Sequence, residues 1–173
     1  MDSVYNHTNY SGVDGAFGVF DKIVPNYYHR RDALSANVEN ASCCSDTATE
    51  NRMMAKLMID SLIHWVTQYK VDGFRFDYMS LQPKEVMEEA LAAVQAVDAD
   101  NYFYGEGFPT GGTAGDRFTQ STQSNMAGTG IGTFNDRMRD KARELAISNA
   151  GDLTRLRAGL AGDRKSTRLN SSH

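Results

Sequence analysis

The sequence predicts an α/β fold in which helices alternate with the strands of a parallel sheet. Two segments with helical periodicity, 47–69 and 83–97, are each followed by a short β-rich segment, at 71–77 and at 102–106. Alternation of helices and strands over short connections is typical of βαβ units. With 173 residues, 40% of them hydrophobic, the chain has enough apolar side chains for one packed core.

The first 46 residues are predicted to be loop with short extended pieces, because glycine, proline and asparagine punctuate them. A capping-box pattern then marks the start of the first long helix, with Thr47 as the N-cap and Glu50 at position N3. Apolar side chains follow at helical spacing and predict one buried face, which comprises Met54, Leu57, Met58, Leu62, Trp65, Val66 and Tyr69.

The second long helix is predicted to begin at Pro83, because proline suits the first helical turn. Its apolar face comprises Val86, Met87, Ala90, Leu91, Val94 and Val97. Residues 107–133 are rich in glycine, threonine and serine and are predicted to be a long loop, with a short strand near its end. A third helix is expected over 135–147, and the segment 151–173 is expected to be a disordered tail or to lie outside the main domain.

Composition excludes several classes of partner. The net charge is −4, from 22 acidic and 18 basic residues, which argues against nucleic acid. No apolar run approaches the roughly 20 residues that a membrane span needs. Adjacent Cys43 and Cys44 have Cα atoms about 3.8 Å apart, closer than a disulfide normally allows, so two thiols are expected. No spacing of cysteine and histidine in the sequence indicates a metal site.

Two charged residues close the first predicted strand, VDGFRFD (71–77). Side chains alternate across a strand, so Arg75 and Asp77 share one face while the intervening phenylalanines face the helices. Glu106 ends the next strand. Neighbouring strands lie about 4.7–4.9 Å apart, and a retaining glycosidase needs its two carboxyl groups about 5–5.5 Å apart. From spacing alone, a catalytic pair and a buried ion pair without chemistry both remain open.

Three short motifs, DSVYNH (2–7), GFRFD (73–77) and YGEGF (104–108), resemble three of the four signature regions of the α-amylase clan, glycoside hydrolase family 13. They occur in the order that the family has. The longer segments 43–80 and 127–143 resemble the pullulanase-type α-1,6-glucosidases of this clan.

This resemblance implies a TIM (β/α)8 barrel, of which residues 1–150 would be a fragment. It also implies hydrolysis, with retention of configuration, of α-1,6 branch linkages in pullulan, amylopectin or glycogen-type α-glucans. An α-glucan oligosaccharide or polysaccharide is therefore the expected partner. No cofactor is needed for this chemistry. The resemblance allows a structural calcium ion in the longer protein, although no ligand set for it is evident here.

The resemblance also assigns roles to residues at matching positions. Asp77 matches the nucleophile, Glu106 the general acid/base and Arg75 the residue that orients the nucleophile. His7 matches a histidine that hydrogen-bonds the sugar, and Asp2 and Asn6 match the polar residues that support it.

Aromatic side chains near these motifs, Tyr5, Tyr78 and Phe108, are expected either to stack on sugar rings or to pack in the core. Three positions depart from the usual family pattern. Ser3 replaces a valine, Tyr78 a leucine and Phe108 a tryptophan, and the last change is expected to alter a sugar contact.

The fourth signature region, a His-Asp pair that supplies the third catalytic carboxylate, is not found in the sequence. We therefore expect the chain to be an internal fragment of the catalytic barrel, and to be inactive by itself. Two alternatives remain at this point: another hydrolase of the clan that acts on α-1,4-glucans, and a catalytically dead remnant that binds glycans.

Overall fold

The computed structural model describes residues 1–109, 117–148, 154, 157 and 160. Its main sheet has four parallel strands in the order β1-β4-β5-β6, namely Asp2–Ser3, Gly73–Phe76, Tyr102–Gly105 and Gly132–Thr133. A small antiparallel sheet pairs β2 (His7–Thr8) with β3 (Ser45–Asp46). The helices are α1 (Phe20–Ile23), α2 (Arg52–Tyr69), α3 (Lys84–Gln95) and α4 (Asp136–Ser148), and a 3-10 turn spans Met79–Leu81.

The predicted alternation of helices with parallel strands is confirmed. Helix α3 connects β4 to β5, and these strands pair in parallel with Phe74 opposite Phe103 and Arg75 opposite Tyr104. The strands and the two long helices begin and end within a few residues of the positions that the sequence indicates. Of the helices in the described part of the chain, none has both the length and the hydropathy of a membrane-spanning segment.

One face of the main sheet forms the core with helices α2 and α3. Phe74, Phe76 and Phe103 point toward this face and are almost completely buried. Each such burial stabilises the fold by about 1.5–3 kcal/mol. The helices contribute the buried side chains of Met54, Met58, Leu62, Val66, Met87, Ala90, Leu91 and Val94. The opposite face carries the charged residues of the strands and is open to solvent.

The buried face of α2 is displaced from the one that the sequence predicts. It shares positions 54, 58, 62 and 66 with the prediction but also includes Ala55 and Ile59. Leu57 lies on the opposite flank and Tyr69 at the end of the helix, and they are 42% and 62% exposed. Val97 is also exposed, because α3 ends at Gln95. Helical periodicity therefore identified the centre of the face but not its edges.

The predicted capping box is wrong. Helix α2 begins at Arg52 with Asn51 at the N-cap, and no side chain caps it. The carboxylate of Glu50 instead accepts two hydrogen bonds from Arg30, each 3.0 Å long. The hydroxyl of Thr47 donates to the carbonyl of Tyr5. Because both side chains bind partners that are distant in sequence, neither one caps the helix.

The expectation of two thiols is also wrong, since a disulfide joins Cys43 to Cys44. Their Cα atoms lie 3.8 Å apart, as in any trans peptide, yet both sulfur atoms point to the same side of the chain. Cys43 is exposed and Cys44 is half-buried. The predicted tail, 151–173, lies outside the described residues apart from Thr154, Arg157 and Leu160, as do residues 110–116 of the predicted long loop.

Candidate active site

Arg75, in the middle of β4, binds three carboxylates at the open face of the main sheet. Its Nη1 lies 2.9 Å from Oδ1 of Asp2 and 3.0 Å from Oδ1 of Asp77. Its Nη2 lies 2.6 Å from Oε1 of Glu106. The carboxylates of Asp77 and Glu106 are therefore held on adjacent nitrogen atoms of a single guanidinium group. We call these four residues the Arg75 cluster.

The register of the sheet explains why these side chains meet. Asp2 pairs directly with Arg75, so both point to the same face. Asp77 and Glu106 each follow the last paired residue of their strands, where Phe76 lies opposite Gly105. The ladder continues for one more step, since the N–H of Glu106 donates to the carbonyl of Phe76 at 3.1 Å. Both acids thus lie at the carboxyl ends of neighbouring parallel strands.

A main-chain donor holds the second oxygen atom of Glu106. The N–H of Tyr78 donates to Oε2 at 3.0 Å. Tyr78 has φ 40° and ψ 49°, a left-handed conformation that is uncommon for a residue other than glycine. This conformation turns the chain sharply after β4 and aims the N–H of Tyr78 back at Glu106. Glu106 is therefore fixed by both of its oxygen atoms.

The charge of Arg75 is well supported. Burial works against the charged form, but hydrogen bonds to Asp2 and Asp77 and the negative charge of Glu106 outweigh it and raise the pKa of the guanidinium. Asp77 and Glu106 remain partly accessible, with side chains 27% and 21% exposed. A substrate can thus reach both carboxylates from the open face.

The aromatic residues that flank Glu106 in the sequence, Tyr104 and Phe108, pack against other rings. The ring of Tyr104 stacks on Tyr102 and meets Phe134 edge-on. The ring of Phe108 meets Tyr78 edge-on at 5.6 Å. The immediate partners of Glu106 are instead the guanidinium of Arg75 and the N–H of Tyr78.

His7 begins β2 of the small sheet, and Asn6 immediately precedes it. Nδ1 of His7 hydrogen-bonds with Nδ2 of Asn6 at 3.0 Å, and its Nε2 lies 3.7 Å from Sγ of Cys43. Asn6 is fully buried. Within the described ranges, no hydrogen bond connects these two residues to the Arg75 cluster. The structure therefore brings four of the six predicted polar site residues together and leaves the other two outside the cluster.

The predicted aromatic site residues differ in their surroundings. Tyr5 packs against the core, with its ring centroid 6.4 Å from that of Phe76 and its hydroxyl 2.9 Å from Ser61 Oγ. Burial raises the pKa of Tyr5, although the hydrogen bond to Ser61 acts in the opposite direction. Of the two expectations for these rings, sugar stacking and core packing, core packing is therefore the one that Tyr5 follows. Phe108 lies nearer the open face, where the guanidinium of Arg139 covers its ring at 5.7 Å.

Two groups at the site were not identified from the sequence. One is the main-chain N–H of Tyr78, which only the turn after β4 reveals. The other is Phe134, whose ring lies 5.7 Å from the guanidinium carbon of Arg75. Phe134 follows β6 as Glu106 follows β5, and its N–H donates to the carbonyl of Gly105 at 3.0 Å. The position of Phe134 directly after a strand was the sequence feature that could have identified it.

Comparison with known proteins identifies relatives of this chain, although no protein-family model matches it. A pullulanase of Klebsiella pneumoniae is 48% identical over 160 residues, which is 92% of this chain and 14% of the relative. The chloroplastic pullulanase 1 of Arabidopsis thaliana is 44% identical over 149 residues, which is 81% of this chain and 15% of that protein.

A solved structure agrees with the sequence relatives. The maltotriose complex of PulA from Klebsiella pneumoniae matches 83% of this chain with a TM-score of 0.79 and 51% identity, and the match covers 15% of that protein. The chain thus spans about one seventh of the length of the relatives that it matches. Sequence and fold agree that this chain is homologous to a segment of the pullulanases.

Proposed function

We propose that this chain carries the nucleophile and the acid/base of a retaining α-1,6-glucosidase, and that its main sheet is part of a (β/α)8 barrel. One observation carries the proposal: a single guanidinium binds both Asp77 and Glu106 at the carboxyl ends of adjacent parallel strands. The active sites of (β/α)8 barrels lie at this end of the strands. Two neighbouring carboxyl groups are the chemical requirement of a retaining glycosidase.

In the proposed reaction, a carboxylate oxygen of Asp77 attacks the anomeric carbon and forms a covalent glycosyl-enzyme. The bond from that carbon to the glycosidic oxygen breaks, and Glu106 donates its proton to the leaving oxygen. Glu106 then removes a proton from water, which attacks the same carbon and releases Asp77. Arg75 donates a hydrogen bond to Oδ1 of Asp77 and holds the carboxylate in position for the attack.

The acid role requires Glu106 to acquire a proton, whereas in this structure it lies against Arg75. Protonation weakens the attraction between them, so we propose that a bound sugar separates the two side chains. Arg75 keeps its bonds to Asp2 and Asp77 when this happens. The second bond to Glu106, from the N–H of Tyr78, keeps the carboxyl in place.

The proposed substrates are branched α-glucans of the pullulan, amylopectin or glycogen type. The relative of known structure was solved with maltotriose, which supports an oligosaccharide ligand for the equivalent segment. His7 is proposed to hydrogen-bond the sugar, Asp2 and Asn6 to support the site, and Phe108 to contact a sugar ring. Tyr5 contributes by packing beneath the site.

The test uses a chimera, in which residues 1–147 of this chain replace the matching segment of the Klebsiella pneumoniae pullulanase. We expect it to release reducing ends from pullulan. We expect Glu106→Gln to lower kcat by about 10²–10⁴-fold, the usual contribution of a general acid, and Asp77→Asn to lower it at least as much. The control, Asp100→Asn on an exposed turn, should stay within twofold of the chimera.

A folded chimera in which both variants keep their activity would overturn the proposed roles. A linear α-1,4-glucan serves as the comparison substrate. Faster hydrolysis of that substrate than of pullulan would favour the alternative α-1,4 activity. Binding of pullulan without hydrolysis would favour the remnant that only binds glycans.

A further inference from the structure

A group of three metal-ligating side chains lies outside the Arg75 cluster. The ligand atoms of His7, Cys43 and Cys44 all lie within 4.8 Å of one another. The pairing of β2 with β3 creates this group, because it sets His7 opposite Asp46, shortly after the two cysteines. His7 and Cys44 are half-buried, and Cys43 is exposed. An ion in solution therefore has access to the group.

The spacing matches the first coordination shell of zinc. With Zn–S about 2.3 Å and Zn–N about 2.0–2.1 Å, a tetrahedral site separates sulfur from nitrogen by about 3.6 Å and the two sulfur atoms by about 3.8 Å. Nε2 of His7 lies 3.7 Å from Sγ of Cys43. Opening the disulfide is thus the main change that the site needs. Solvent supplies the fourth position on the exposed side.

Asn6 can set the tautomer of His7. Asn6 is fully buried, and its Oδ1 has no hydrogen-bond partner in the described part of the chain. Its Nδ2 contacts Nδ1 of His7. Rotation of the amide exchanges Oδ1 and Nδ2, so that Oδ1 accepts a hydrogen bond from the Nδ1–H of the imidazole. The lone pair of Nε2 is then free for a metal ion, as in most metal-binding histidines.

We propose that, when its disulfide is reduced, this chain binds a zinc-class divalent ion through Nε2 of His7 and the two sulfur atoms of Cys43 and Cys44. A reducing dithiol gives two electrons and two protons to the disulfide and itself becomes a disulfide. The ion then displaces one proton from each thiol. The complex holds two thiolates and a neutral imidazole. In the oxidised chain, neither sulfur is a thiolate, so the site does not form.

The site shares His7 with the proposed sugar contact, so a bound ion would compete with a sugar for this residue, but metal binding does not depend on the glucosidase activity. Two thiolates and an imidazole favour zinc, cadmium or copper(I) over magnesium or calcium, which prefer oxygen ligands. The sequence alone gave no indication of the site, because His7 precedes Cys43 by 36 positions. The disulfide thus makes metal binding dependent on reduction.

The test is a titration of the 173-residue chain with Cd²⁺, followed by the thiolate-to-cadmium charge-transfer absorption. The chain is first reduced with a phosphine, which is then removed. We expect one Cd²⁺ per chain, displaced by Zn²⁺, and no absorption change for the oxidised chain. On binding, ¹⁵N NMR should show that the proton of His7 moves from Nε2 to Nδ1.

Variants separate a built site from two adjacent thiols that bind cadmium by themselves. We expect His7→Ala to weaken Cd²⁺ binding at least tenfold. The matched control is His64→Ala on the exposed side of α2, which should stay within twofold of the unaltered chain. Cys44→Ser should abolish the 1:1 complex. Equal affinity of the His7→Ala and unaltered chains would overturn the proposal. A reduced chain that unfolds would also show equal affinities, and this outcome would overturn the proposal as well.

Discussion

Two arginines of this chain each bind several carboxylates, but one is buried and the other is open. Arg30 is fully buried and donates two hydrogen bonds to Glu50 and one to the carbonyl of Leu81, each 3.0 Å long. Its Nη1 lies 3.7 Å from Asp46, which is also fully buried. Arg75 is 21% exposed, and its three carboxylates face solvent to different degrees.

The difference in burial gives the two arginines different roles, one in stability and one at the proposed active site. A buried charge is costly unless it is paired and hydrogen-bonded, so every partner of Arg30 is needed and none can turn to a substrate. Arg30 therefore ties the loop before α2 to the turn after β4. Arg75 holds carboxylates whose free sides face the open sheet surface. The second arrangement leaves its carboxylate groups more accessible from solvent than the first does.

The largest expected effect is the loss of stability when Arg30 is removed. Arg30→Met leaves the buried Asp46 without its cation and leaves Glu50 with only Arg117, 3.4 Å away. Breaking a buried pair in this way costs about 3–5 kcal/mol. We expect a clearly lower urea midpoint for the chimera that carries this variant. Arg75→Met is the matched control, and its midpoint should change little because its partners are accessible to water. A larger decrease in the urea midpoint for Arg75→Met than for Arg30→Met would show that Arg75 contributes more to stability than Arg30 does.

The next effect is on catalysis. Arg75→Lys keeps the charge but loses the planar fork that binds Asp77 and Glu106 together. We expect kcat of the chimera on pullulan to fall by about 10²-fold, comparable to the loss of one preorganised donor in other enzymes. Arg52→Lys, at the exposed first residue of α2, is the control for the substitution itself. An Arg75→Lys chimera as active as its parent would show that the cluster is not needed for the reaction.

The buried network should also give stability a dependence on pH. Burial raises the pKa of Asp46, against the hydrogen bonds from Ala41 and the charge of Arg30. The folded state then binds the proton of Asp46 more tightly than the unfolded state, so this residue's contribution to stability falls as pH rises. The fall begins near the ordinary value of 3.8 and ends above the raised pKa.

Asp46→Asn removes this contribution. We expect the difference in urea midpoint between the parent chimera and the Asp46→Asn variant to shift against the parent as pH rises through that interval. The same difference for Asp100→Asn should be independent of pH. A difference that moves in favour of the parent would mean that Arg30 outweighs burial and lowers the pKa of Asp46.

The smallest effect is expected at the exposed edge of the Arg75 cluster. The side chain of Asp2 is 70% exposed, so its bond to Arg75 should contribute no more than about 1 kcal/mol. We expect Asp2→Asn to leave the urea midpoint of the chimera almost unchanged, and to have a smaller effect on kcat than Arg75→Lys. A decrease in the urea midpoint as large as that of Arg30→Met would show that Asp2, like Arg30, is needed for the stability of the fold.

The Arg75 cluster was predictable because its geometry depends on local rules. Alternation along VDGFRFD puts Arg75 and Asp77 on one face, and parallel pairing carries Glu106 to the same edge. The core phenylalanines follow from the same alternation. Sequence pattern and sheet geometry thus agree on which charged groups meet.

The Arg30 network was not predictable in this way. Thr47 and Glu50 fit a capping box, yet their partners Tyr5 and Arg30 lie 42 and 20 positions away. Local propensity is a weak preference that such long-range bonds override. The group of His7 with Cys43 escaped prediction for the same reason, since it depends on the pairing of two very short strands.

We propose that Asp77 and Glu106 act together on one sugar, and this can be examined most directly by trapping the glycosyl-enzyme. The Glu106→Gln chimera would be treated with a fluorinated α-glucosyl fluoride, whose good leaving group needs no acid and whose ring fluorine slows release. We expect one glucosyl adduct per chain, found by mass spectrometry on the peptide that contains Asp77. An adduct on another carboxylate, or inversion of configuration without an adduct, would contradict it.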